Sequence, residues 1–125
     1  MTRALIIVML MLPAASFAAE KVWHCQEVAS SGLIWKDGKY TDTLFKLDRY
    51  TIRQKGDKLI FPKELDMDGA RCKRRVEGII DCKHVAHQFI INTNTGRASY
   101  SRGFGWVYSD AHEDLIVSAL TCETS

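Results

Sequence analysis

Four cysteines, four histidines and one run of alternating aromatic residues are the parts of this 125-residue sequence whose types could do chemistry. The cysteines are Cys25, Cys72, Cys82 and Cys122. None stands in a Cys-x2-Cys pair, so the spacing does not suit zinc. An even count in a small exported chain reads instead as two disulfides. Three pairings are possible. Cys72 and Cys82 flank Glu77-Gly78, where a hairpin would set them opposite each other, which favours Cys72–Cys82 and leaves Cys25–Cys122 to clip the first strand to the last.

The histidines are His24, His84, His87 and His112. His84 and His87 follow Cys82 in Cys-Lys-His-Val-Ala-His. On a helix they would share a face and suit a metal, whereas on a strand residues three apart point to opposite faces. With Cys82 oxidised, they read as polar surface histidines. Asp66-Met67-Asp68-Gly69 has the start of a calcium loop, but counting from Glu64 the twelfth position falls on Arg75, where a bidentate Glu is needed. The segment therefore reads as a loop. No Gly-x-Ser-x-Gly or His-Glu-x-x-His motif occurs, and the sequence implies no catalytic residue, cofactor or metal.

Arg71, Lys73, Arg74 and Arg75 form a basic run around Cys72, with Lys83 on the facing strand. On a strand, Arg71, Lys73 and Arg75 share one side. That suits an ordinary solvated hairpin face as well as an acidic partner. Tyr100, Arg102, Phe104, Trp106 and Tyr108 are spaced by two. On an unbroken strand they would form one stripe. Aromatic residues and arginine dominate protein-binding hot spots, so the stripe is the candidate binding surface, and the core face of a central strand is the competing reading.

The elements that must position these residues read as strands. Val22 to Val28 is rich in β-branched and aromatic residues. Leu33-Ile34-Trp35 runs into Asp37-Gly38, a hairpin signal. Thr41 to Leu47 alternates and continues through Tyr50 and Ile52; Lys55-Gly56-Asp57 turns it, and Leu59-Ile60-Phe61 returns before Pro62. Residues 63–69 form a polar loop with room for one helical turn. Phe89-Ile90-Ile91 is a strand, Asn92 to Gly96 a turn, and Arg97 to Tyr108 one long strand or two short ones bent at Gly103 and Gly105. For the last segment, Asp110-x-x-Glu113 suits a helix cap, but β-branched Leu115 to Cys122 favours a strand that brings Cys122 to the first. Turns every eight to twelve residues predict a mainly β fold, an antiparallel sandwich or barrel with at most one short helix.

The chain opens on Arg3, an apolar run from Ala4 to Leu12, Pro13, and Ser16-Phe17-Ala18 with small residues at the −3 and −1 positions. That pattern predicts a signal peptide over residues 1–18, leaving 19–125 as a single β-rich domain expected to be periplasmic or secreted. The apolar run is shorter than the roughly 20 residues a membrane span needs, so no span remains after processing. Lys and Arg number 17 against 15 acids; processing removes Arg3, leaving a balance of about +1 that gives no reason to expect nucleic acid.

Val22-Trp23-His24-Cys25 after the signal, the central cysteine pair and Leu120-Thr121-Cys122 resemble small exported bacterial proteins of uncharacterised function. The chain is also similar to the periplasmic C-type lysozyme inhibitors, small β-barrels with an early aromatic-x-Cys and a loop rich in Gly, Ala, Arg and Tyr. Gly96-Arg97-Ala98-Ser99-Tyr100 matches that loop in composition and not in order. Trp106-Val107-Tyr108-Ser109 stands where those inhibitors have Trp-x-Lys-Gly, so no site residue is carried over. The resulting expectation is a non-enzymatic exported protein that binds another protein in the envelope or outside the cell, as an inhibitor or immunity-type factor. The alternatives are a small secreted hydrolase or nuclease using histidine, and an envelope structural or assembly subunit.

Overall fold

The computed structural model describes residues 20–103, 106–107 and 112–125. The proposed signal peptide, and Phe104 and Tyr108 of the aromatic set, lie outside them. Nine strands form one antiparallel sheet: β1 (Lys21–Lys36), β2 (Lys39–Leu44), β3 (Arg49–Lys55), β4 (Lys58–Ile60), β5 (Arg71–Arg74), β6 (Ile79–His84), β7 (His87–Asn92), β8 (Arg97–Arg102) and β9 (Leu115–Thr124). Their order is β4-β3-β1-β9-β8-β7-β6-β5, with β2 paired to β1 off this path. The two ends of the order, β4 and β5, come side by side, and the sheet curls into a nearly closed barrel. Arg74 Nε reaches Asp57 Oδ1, at the β3–β4 turn, across that gap at 2.7 Å.

Alternation explains what each strand buries. Trp23 and Cys25 on β1, Ile52 on β3, Leu59 on β4, Ile80 and Cys82 on β6, Phe89 and Ile91 on β7, Tyr100 on β8 and Leu120 and Cys122 on β9 fill the interior. Asp37 and Gly38 turn β1 into β2 with positive φ at both positions (53° and 80°), as a two-residue type I′ hairpin requires. Gly96 also has positive φ (75°), and a Cβ there would sit 2.1 Å from the Cys122 carbonyl oxygen, so the β7–β8 turn presses on β9.

Both favoured disulfides are present. Cys25 pairs in register with Cys122 across β1 and β9, and Cys72 with Cys82 across β5 and β6. The closing segment is the strand β9, as the β-branched run predicts.

Three features depart from the sequence expectation. The alternating run from Thr41 to Ile52 is two strands, broken at residues 45–48 because β1 changes partner there, from β3 to β2. The polar loop after Pro62 carries one 3-10 turn (Lys63–Leu65) and turns two side chains inward: Leu65 and Met67 are fully buried and plug the barrel. Last, β8 ends at Arg102, and Trp106 and Val107 are helical, so no unbroken strand runs from Arg97 to Tyr108. Gly103 instead donates its N–H to the Ala86 carbonyl across the β6–β7 turn (3.2 Å), which caps the strand.

Candidate functional site

A β-bulge in β1 creates a cleft on its flank. Glu27 faces Leu120 and Ala29 faces Ala119, which leaves Val28 as the extra residue, turned out to solvent. Before the bulge the odd positions Trp23, Cys25 and Glu27 point inward; after it the parity flips and Ser30 does. Two polar side chains thus face the interior within three residues. The flank beside them is open, because β3 pairs with Lys21–Gln26 and β2 with Ser31–Lys36, and among the described residues two backbone bonds span the gap: Glu27 N–H to Asp48 O (2.9 Å) and Phe45 N–H to Ser30 O (3.0 Å). A cleft of about 680 Å³ opens there, within the range of ligand sites.

Glu27 is only 4% exposed at the base of this cleft. Its Oε1 accepts from the Asp48 N–H (3.0 Å) and the Tyr50 hydroxyl (3.3 Å). Burial, and then the Glu27 carboxylate, hold the Tyr50 phenol protonated well above its ordinary range. Ser30 and Ser118, both buried, share one hydrogen bond of 2.9 Å between their hydroxyls. Tyr100 donates to the Leu65 carbonyl at 2.7 Å, and burial pushes its phenol up to about 12 while the neighbouring Arg102 pulls the other way.

Arg102 lines the cleft and also a smaller recess of about 350 Å³ with Asp66, His87, Glu113 and Asp114. Its Nε is shielded from solvent without an acceptor among the described residues. His87 is buried, not a surface residue as its spacing suggested; the two-residue turn between β6 and β7 makes His84 and His87 direct cross-strand partners. Burial lowers the His87 pKa, opposed by Asp66, whose Oδ2 lies 3.9 Å from Nε2, and reinforced by Arg102 and His84.

The expected stripe divides at Arg102. Tyr100 is core, Arg102 is half-buried in the cleft, and Trp106 is 58% exposed. Trp106 joins a cluster the sequence did not suggest. It packs edge-on to Tyr40 of β2 (5.3 Å), Tyr40 packs edge-on to Trp35 of β1 (5.1 Å), and His112 stacks on Trp35 (3.8 Å). The Tyr40 hydroxyl donates to the Glu113 carbonyl (3.1 Å), which connects this cluster to the Arg102 recess. The Asp37-Gly38 hairpin is the signal that could have found Trp35 beside Tyr40, since a two-residue turn makes them cross-strand partners.

The basic run is spread along the β5 hairpin: Arg71, Lys73, Arg74 and Arg75 are exposed, and Arg75 Nε and Lys83 Nζ lie 2.5 and 4.0 Å from the buried Asp81. Among the described residues no three His, Cys, Asp or Glu side chains converge as metal ligands, and no helix is long and apolar enough to cross a membrane. Comparison with protein-family models, with curated proteins and with solved structures gives no match to this chain.

Proposed function

We propose that this chain is a non-enzymatic exported protein that docks another protein, acting as an inhibitor or immunity-type factor in the periplasm or outside the cell. The observation that carries the reading is the ring cluster of Trp35, Tyr40, Trp106 and His112, half open to solvent and adjoining the Arg102 recess and the cleft. Aromatic rings held rigid beside a polar rim are what protein partners bury most strongly, because little side-chain entropy is lost on docking. The export signal at residues 1–18 and the two disulfides support a site of action where thiols stay oxidised.

Affinity capture from the source cell's envelope with the tagged processed chain tests this. Wild type is expected to retain one protein partner in stoichiometric amount, and Trp106→Ala and Tyr40→Ala to lose it at unchanged secondary structure. Equal capture by the variants would contradict the reading.

One observation favours a second reading, a histidine-dependent hydrolase. His87 has a lowered pKa, which suits a general base, and it lies beside Asp66 in the Arg102 recess. Turnover of peptidoglycan, RNA or a simple ester that vanishes in His87→Ala would establish it; no turnover of any of the three removes it.

A further inference from the structure

We infer that the cleft at the β1 bulge receives a basic side chain, arginine or lysine, of the partner protein, with Glu27 as its counter-charge. The inference deepens the protein-docking reading above and rests on it. The site is defined by a mostly buried carboxylate with one oxygen left open to the cleft. Glu27 is 4% exposed, its Oε1 takes both hydrogen bonds that its side chain accepts, and Oε2 takes none among the described residues. No lysine or arginine nitrogen among the described residues comes within 4.0 Å of it, whereas the other buried acid, Asp81, holds Arg75 and Gln88. A carboxylate held at a cleft with one oxygen open and no protein cation beside it is placed to take a charge-assisted hydrogen bond from a ligand that brings the cation.

The rest of the cleft suits the same occupant. Tyr50 and Tyr100 line it with aromatic surface that a cation can lie against. The Ser30–Ser118 pair offers further acceptor oxygens beside Glu27. The cleft's own cations do not fill the place: Lys46 and Arg49 are exposed, Arg49 Nε donates to Gln26 Oε1, and Arg102 shares its recess with Asp66, Glu113 and Asp114. An anionic ligand would face the carboxylates of Glu27, Asp48, Glu64 and Asp114. A cationic ligand meets the same carboxylates as attraction.

The test is a backbone-amide NMR titration of the full processed chain with N-acetyl-arginine methylamide, with the neutral citrulline analogue in parallel. Saturable shifts centred on Glu27, Ser30, Tyr50 and Ser118 are expected with the arginine probe and not with citrulline. Glu27→Gln keeps the Oε1 acceptor for Asp48 and Tyr50, so it is expected to hold its melting temperature and to weaken the probe at least tenfold. Equal shifts with both probes, no saturable shift, or shifts centred elsewhere would overturn the inference, and the wild-type comparison decides even if Glu27→Gln fails to fold. Probe failure together with partner capture that still depends on Trp106 would remove the cleft assignment and leave the docking face standing; loss of Trp106 dependence with specific arginine binding would do the reverse.

Discussion

Tyr100 and Trp106 are six positions apart and belong to one alternating run, yet they carry opposite consequences. Tyr100 is buried and its hydroxyl is the partner of the Leu65 carbonyl, so Tyr100→Phe leaves a buried acceptor unmet. The expected cost is about 1–2 kcal/mol, read by urea unfolding. Trp106→Ala, at an exposed ring, should stay within about 0.5 kcal/mol of wild type. His87 adds a pH dependence with a definite sign. Burial holds its folded pKa below the ordinary 6.5, so the unfolded chain takes up a proton before the folded one does. Its contribution to stability is complete above pH 6.5 and is lost as pH falls through the lowered folded value. The melting temperature should therefore drop on acidification from about pH 7 to about pH 5, and His87→Gln should lack that part of the drop. The core reading of the stripe fits the buried Tyr100, but period two gave Tyr100 and Trp106 the same face, and nothing in the sequence buried His87. Whether an alternating run stays a strand depends on where its neighbour stops, and β8 stops where Gly103 bonds to the β6–β7 turn.

At the scale of elements the sequence was more informative. Asp37-Gly38, Glu77-Gly78 and the β-branched C-terminal run located two hairpins and the last strand, and those in turn set both cysteine pairs in register. Local turn chemistry suffices for such features. The bulge at Val28, the break at residues 45–48 and the Leu65–Met67 plug are products of tertiary pairing, and they are what build the cleft. The two bridges differ in the chain they close. Cys25–Cys122 spans 97 residues and Cys72–Cys82 spans 10. On loop entropy alone, replacing the first pair by serine should cost about 4–5 kcal/mol and the second about 3 kcal/mol. Chemical unfolding of the two double variants checks the order, and a larger loss for the Cys72–Cys82 pair would show that strain or unfolded-state structure outweighs loop entropy.

The described residues form one sheet rolled into a nearly closed barrel, with Glu27, Ser30 and Ser118 on the flank where β1 changes partner. That asymmetry divides the surface in two. On one side stand the aromatic cluster, the Arg102 recess and the Glu27 cleft; on the other is the basic β5–β6 hairpin, part of whose charge is met by Asp81 and Asp57. A barrel of this kind is rigid enough to present a preformed face, so docking should change protection from solvent locally and not globally. Hydrogen–deuterium exchange of the captured complex measures this most directly. Slowed exchange is expected in peptides covering residues 33–42 and 112–116, with Glu27 to Ser30 following, and little change in β5 and β6. Protection confined to the hairpin of Arg71 and Lys73, with Trp35, Tyr40 and Glu27 exchanging as in the free chain, would contradict the placement of the binding face.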